Sequence, residues 1–226
     1  IGFGQLTYVP DDNFEQALIN LGYDNVLDDY VTTASIDTVT LLDISSLGIY
    51  DVTGIEDMIQ LNYLSCEDNF ITNLNVSQNI QLSVLVAYSN YLQTIDVSSN
   101  ILLDSLHIAH QNLIELDISQ NINLTALFAY DCALTCLDLR NGNNINMTSM
   151  RVDGNPDILC ISVDNVSWST ANWTGLNNSI DPFATFSNIN CPNCPLLTAI
   201  QEHTTNKELL KVTDLLGRET KQTNQP

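Results

Sequence analysis

Basic side chains are scarce in this chain. Six lysines and arginines face 27 aspartates and glutamates, for a net charge of −21. The shortage is deepest before residue 200, where only Arg140 and Arg151 are basic; Lys207, Lys211, Arg218 and Lys221 lie in the tail, balanced by an equal number of acids. A body so negative repels phosphate backbones, so nucleic acid is excluded as a partner and anionic membrane surfaces are disfavoured. It suits a soluble protein in a salty medium, a basic partner, or divalent cations. Long apolar runs are also missing. No stretch reaches the roughly 18 apolar residues that a membrane-spanning helix needs, so no membrane insertion is expected. No leader peptide is visible, and a start at Ile1 rather than Met fits a leader already removed. Catalytic signatures are absent: there is no Ser/His/Asp order, no Gly-rich phosphate loop and no HExxH. We therefore expect no enzyme.

What the chain does have is a repeat. Segments starting at Leu61, Leu82, Leu103 and Leu124 share the pattern L-x-x-L-x-(small apolar)-x-x-N-x-L-x-x-L-D-V-S-x-N. Degenerate copies begin at Val39 and at Met147, the latter displaced by the insert 141–146 (NGNNIN). This is the leucine-rich-repeat pattern. It predicts an α/β solenoid of about six coils, each of about 21–22 residues, with parallel strands. Leu64, Leu85, Leu106, Leu127 and Met150 form one inward column. Cys66, Ala87, Ile108, Ala129 and Val152 form a second, two residues on, as strand alternation requires. The second half of each coil supplies Leu74/Val76, Ile95/Val97, Leu116/Ile118 and Leu137/Leu139. Asn69, Asn90 and Asn155, with Gln111 and Cys132 as substitutes, make a ladder of buried amides bonding the backbone of adjacent coils. Asn79, Asn100 and Asn121 make another.

Solenoid ends need covers. Residues 1–38 are an N-terminal segment and helical cap. Within it PDDNFEQALINLG reads as a helix, capped by Asp11 or Asp12, with Phe14, Leu18 and Leu21 on one face and Gly22 as its stop. Asp28–Val31 reads as a further helical turn. Repeats occupy 39–163, a C-terminal cap with Trp168 and Trp173 occupies 164–195, and a linker and tail occupy 196–226.

VPDDNFEQALINLGYD, the LDVSxN repeats, NPDILCISVDNVSWSTANWT and the closing cysteine resemble secreted leucine-rich-repeat proteins of Bacteroidota, over 8–191. The tail from Leu197 resembles the start of a type IX secretion (T9SS type A) C-terminal sorting domain. The strand that would complete that domain is missing here. The resemblance implies a secreted, extracellular or cell-surface protein.

An exported setting permits disulfides among the six cysteines. Cys66 reads as a small core residue and Cys132 as a free thiol. Cys160–Cys191 would staple the last coil to its cap, and the resemblance favours it. Cys136–Cys160 is the alternative, because the two share a column about 4.8 Å apart. The CxxC at Cys191–Cys194 lacks the helix of a redox motif and the second pair of a zinc site.

Ligands of such a fold bind exposed side chains between the inward columns. Val86, Tyr88, His107, Phe128 and Tyr130 fall on three successive coils there, with Tyr63 beside them and Glu67, Asp68, Asp131 and Asp153 around them. Rigid aromatics with a charged rim read as a recognition patch. The expected partner is a protein or peptide. A glycan on Tyr88, Phe128 and Tyr130, or a surface-layer or filament role, is the alternative. A metal on His107, His110, Asp131 and Asp68 requires His110 to lie past the strand end. No cofactor is expected. Calcium enters only through the column Asp96, Asp117 and Asp138, which also reads as turn chemistry.

Overall fold

The computed structural model describes residues 4–173 and 179–191. At the N-terminal end β1 (Leu6–Tyr8) precedes α1 (Asp12–Asn20) and pairs antiparallel with β2 (Tyr30–Thr32). Asp11 is the cap: one carboxylate oxygen accepts the N–H groups of Asn13 and Phe14. Its other oxygen accepts from Tyr50 and Asp51, tying the helix to the first coil. Phe14, Ala17 and Leu18 are buried, but Leu21 is 49% exposed. The helix has ended by then, and Leu21 is its C-cap.

Asp28–Val31 is not helical. Tyr30, Val31 and Thr32 are good strand formers and pair with β1 instead. The bend before them is held by Glu15, a fully buried carboxylate that accepts the N–H groups of Asp28, Asp29 and Tyr30. Three charge-assisted bonds offset the cost of burying it. A short α2 (Thr33–Ile36) leads into the repeats.

The parallel strands follow as β3 (Leu41–Asp43), β4 (Tyr63–Ser65), β5 (Val84–Val86), β6 (Ser105–His107), β7 (Glu115–Asp117), β8 (Ala126–Phe128), β9 (Cys136–Asp138), β10 (Ser149–Arg151) and β11 (Cys160–Ser162). Then come α3 (Val166–Trp173) and β12 (Thr185–Ser187). One sheet runs β3-β4-β5-β6-β8-β10 and the other β7-β9-β11-β12. The register is the one the repeat dictates: Leu42, Leu64, Leu85, Leu106, Leu127 and Met150 pair rung by rung. The column two residues on is buried throughout, from Cys66 to Val152. The second sheet forms only toward the C-terminal end, where Leu116, Leu137, Ile161 and Phe186 are its rungs.

The leucine pattern stops at Val163, yet the coil continues. Val152 N–H donates to the Ser179 carbonyl, the Asp181 carboxylate accepts from Gly154 and Asn155, and β12 adds to β11. The solenoid therefore makes about seven turns. Part of the expected C-terminal cap is backbone-paired coil without leucine spacing. Trp168 and Trp173 pack edge to face at 5.4 Å, and Trp173 meets Phe186 at 5.8 Å. This closes the core at that end.

The asparagine ladder has the expected role. The Asn90 amide donates to the Cys66 and Ala87 carbonyls and accepts from Ile71, so one side chain bonds two coils. Asn69 and Asn155 repeat the scheme, and Gln111 reproduces it with Leu92 and Ala87. Asn79, Asn100 and Asn121 form the second ladder, and Asn141 in the insert extends it by donating to Asn121. Cys132 is the weak rung. Its thiol reaches the Ile108 carbonyl at 3.4 Å, and sulfur is a poor substitute for the amide oxygen that accepts a neighbouring coil's N–H on the other rungs. Cys132→Asn should stabilise the chain by about 1 kcal/mol, read as a rise in urea midpoint at unchanged slope. A lower midpoint would mean that the thiol is preferred for its size.

Cys160 and Cys191 are disulfide-bonded, with Cα atoms 5.6 Å apart. This excludes the Cys136–Cys160 alternative, and Cys136 is itself disulfide-bonded. Cys66 and Cys132 are free and buried. Burial pushes their thiols up, to about 12 and about 11. Cys194 and the tail 196–226 lie outside the described residues.

Candidate functional site

The strand-face side chains come together because of register and of one turn. Val86, His107, Phe128 and Arg151 are paired in one row across β5, β6, β8 and β10. The His107 and Phe128 rings pack at 4.3 Å. Three residues past each strand the backbone enters the left-handed region, with φ of 53° at Asp68, 54° at Ser89 and His110, and 51° at Asp131. Non-glycine residues seldom adopt it, and Asp, Asn and His tolerate it best. The bend places His110 past the strand end. Its ring meets Tyr130 edge-on at 4.9 Å, and its Nδ1 lies 3.6 Å from the Asp131 carboxylate.

Val86, Tyr88, His107, Phe128, Tyr130 and Tyr63 are all half-buried, and Asp131 is exposed. His107 leans on Phe128, and Tyr130 on His110 and Arg151. Ala109, which stands in the column between Tyr88 and Tyr130, is covered. A hydrogen bond to the Glu67 carboxylate and partial burial push the Tyr88 phenol up to about 12, so the ring is neutral and anchored. Arg151 stands next after Phe128 in the row. Its guanidinium lies 4.0 Å above the Tyr130 ring and forks onto Asp153 at 2.8 and 3.2 Å.

Burial lowers the His107 pKa from its ordinary value, with Glu67 partly opposing the shift. A histidine with a depressed folded pKa favours the neutral ring. Its contribution is therefore full above the unfolded pKa near 6.5 and is lost as pH falls from there through the lower folded pKa. Stability measured from pH 7.5 to 5.5 should fall less steeply in His107→Gln than in the wild type. Identical slopes would mean that protonation costs nothing at this position.

Among the described residues, no group of three or more His, Cys, Asp or Glu is arranged to hold a metal ion. Asp96, Asp117 and Asp138 each accept the backbone N–H two residues on, from Ser98, Ser119 and Arg140. That column is turn chemistry. Arg140 also pairs with Asp138 and reaches Asn190.

The strand-face reading missed a second aromatic feature. Tyr50, Phe70 and Tyr91 stack along the solenoid, with centroids 4.9 and 6.1 Å apart. They are 62%, 40% and 50% exposed. The signal was present as an aromatic directly after the ladder residues Asn69 and Asn90. Phe70 and Tyr91 line a concavity of about 380 Å³ with Asp68, Ser89 and His110. Another, of about 450 Å³, opens between Phe128, Met150 and Arg151 on one side and Trp168 on the other.

No protein-family model matches the chain. Over 72 residues, 32% of the chain, it is 36% identical to internalin J of Listeria monocytogenes serotype 4b (strain F2365), and the match spans 8% of that protein. The solved functional domain of InlJ from Listeria monocytogenes, described as including a cysteine ladder, aligns with a TM-score of 0.57 at 30% identity, covering 72% of this chain and 39% of that one. An internalin, inlF, from Listeria monocytogenes str. 4b F2365 aligns with a TM-score of 0.56 at 18% identity, covering 80% of this chain and 59% of that one, a likeness of fold alone. The chain thus spans well under half the length of the internalin J sequences it matches. It is a leucine-rich-repeat solenoid with internalin-like relatives.

Proposed function

We propose that this chain is an exported, non-catalytic scaffold that binds a protein or peptide on its strand face. The observation that carries this reading is the surface formed by Val86, Tyr88, His107, Phe128 and Tyr130 across three coils, with Tyr63 and Asp131 at its margin. Its rings are held by neighbours, so little side-chain entropy is lost on binding. Acids surround it, and the whole chain carries −21, so the partner is a basic or neutral segment that buries aromatic surface. Leucine-rich-repeat solenoids typically serve binding, which agrees. The Cys160–Cys191 disulfide supports an oxidising, extracellular or surface location. The tail's resemblance to a type IX sorting segment points the same way. Binding needs no cofactor in this reading.

The test is selection from a displayed peptide library, in EDTA and again in calcium, with glycan-array screening in parallel. Peptides selected on the wild type should lose at least about tenfold in affinity for Tyr88→Ala/Tyr130→Ala, with the fold checked by circular dichroism. Selected peptides that bind the variant unchanged would sink the strand-face reading. Glycan binding lost in the same variant would turn it to a sugar platform, and dependence on calcium would add a cation.

A further inference from the structure

The concavity beside the aromatic stack lies off the strand-face row, at the bend after the strands. It is lined by Asp68, Phe70, Ser89, Tyr91 and His110. Phe70 stacks between Tyr50 and Tyr91, yet both Phe70 and Tyr91 stay exposed where they line it, and the lining Asp68 is exposed too. An open aromatic surface beside a carboxylate attracts an organic cation: the ring quadrupole draws the charge and the carboxylate pairs with it.

The protein already holds one cation this way. At the other end of the same sheet Arg151 lies over the Tyr130 ring and forks onto Asp153. Asp131, in the same left-handed turn position as Asp68, adds to the field there. The concavity likewise sets aromatic side chains beside a carboxylate, and neither arginine among the described residues lines it. Among the described residues the arginines and lysines are Arg140 and Arg151, and both are engaged with aspartates.

We infer that the Asp68–Phe70–Tyr91 concavity is a receptor for the guanidinium or ammonium group of an arginine or lysine side chain from a partner. The concavity adjoins the Tyr88/Tyr130 patch through His110, which lines it and packs on Tyr130, but Phe70 and Tyr91 lie outside that patch, so variants at the two places tell the readings apart.

The experiment is an NMR titration with two small probes of equal shape, N-acetyl-arginine methylamide and its uncharged citrulline counterpart. The arginine probe should give saturable shifts at Asp68, Phe70, Ser89 and Tyr91, and the citrulline probe should give none there. Phe70→Ser/Tyr91→Ser leaves the net charge unaltered, so diffuse attraction by the acidic surface is the same in wild type and variant. That variant should bind the arginine probe roughly fivefold more weakly. Asp68→Asn keeps a residue that tolerates positive φ and should weaken it comparably, while Asp157→Asn, an equal charge change elsewhere, should not. Equal titration by citrulline, or arginine shifts that survive Phe70→Ser/Tyr91→Ser undiminished, would overturn the assignment.

Discussion

Asn90→Ala lowers the melting temperature by roughly 10 °C, corresponding to about 4 kcal/mol. The expectation follows from what the side chain does. Its amide donates to Cys66 and Ala87 at 2.9 and 3.1 Å, and its oxygen accepts from Ile71 at 3.0 Å. All of these groups are inside the solenoid, where water cannot replace the lost partner. Alanine leaves the buried Ile71 N–H unpaired, removes one of the two amide donors from each of the Cys66 and Ala87 carbonyls, and opens a void between coils. The same change at Asn112, which is exposed, should cost under about 0.5 kcal/mol. Calorimetry of the pair decides the matter: comparable melting shifts would show that the ladder is incidental to stability. Gln111 adds a finer check. It reaches Ala87 and Leu92 with a longer side chain, so Gln111→Asn should be tolerated far better than Gln111→Ala.

Cys160→Ala/Cys191→Ala costs about 3–4 kcal/mol by the loop-entropy relation for a closed loop of this length, given a separation of 31 residues. In a stacked fold the cost is local, because each coil contacts only its neighbours. Hydrogen exchange should therefore quicken first in β11, β12 and α3, while β4, β5 and β6 keep their protection. Uniform loss of protection along the chain would contradict this and would mean that the solenoid unfolds as one unit. Peptide binding to the strand-face patch should survive the variant, since Val86, Tyr88 and His107 stand on β5 and β6 and the turns after them. Loss of binding would tie the patch to the cap through the groove between Phe128 and Trp168.

A sequence with a period of 21 residues states its own register. Leu64, Leu85, Leu106 and Leu127 had to align, because each coil can bury its apolar edge only against the same edge of the next. The alternation within a strand then sent Cys66 and Ala87 inward and left Val86 and Tyr88 on the open face. Asn69, Asn90 and the aspartates of the LDVS turns were equally legible, since each bonds backbone at a fixed offset from itself or its neighbour coil. Periodicity is silent about contacts that depend on rotamer and on where the chain bends. It did not tell which exposed side chains would touch: His107 with Phe128, Arg151 over Tyr130, Phe70 between Tyr50 and Tyr91. Rotamers on paired strands set the first two, and the left-handed turns at Asp68 and Ser89 lead into the third, a turn that recurs in space without a fixed residue type. Nor did periodicity reveal the last coil, where Ser179, Asp181 and β12 continue the backbone pairing without leucines, or the β2 strand, whose pairing with β1 overrode a helical reading of Asp28–Val31. Local pattern determined what is inside this protein and in what order. Tertiary structure alone decided what its surface brings together, because an exposed side chain is placed by its neighbours and not by its spacing.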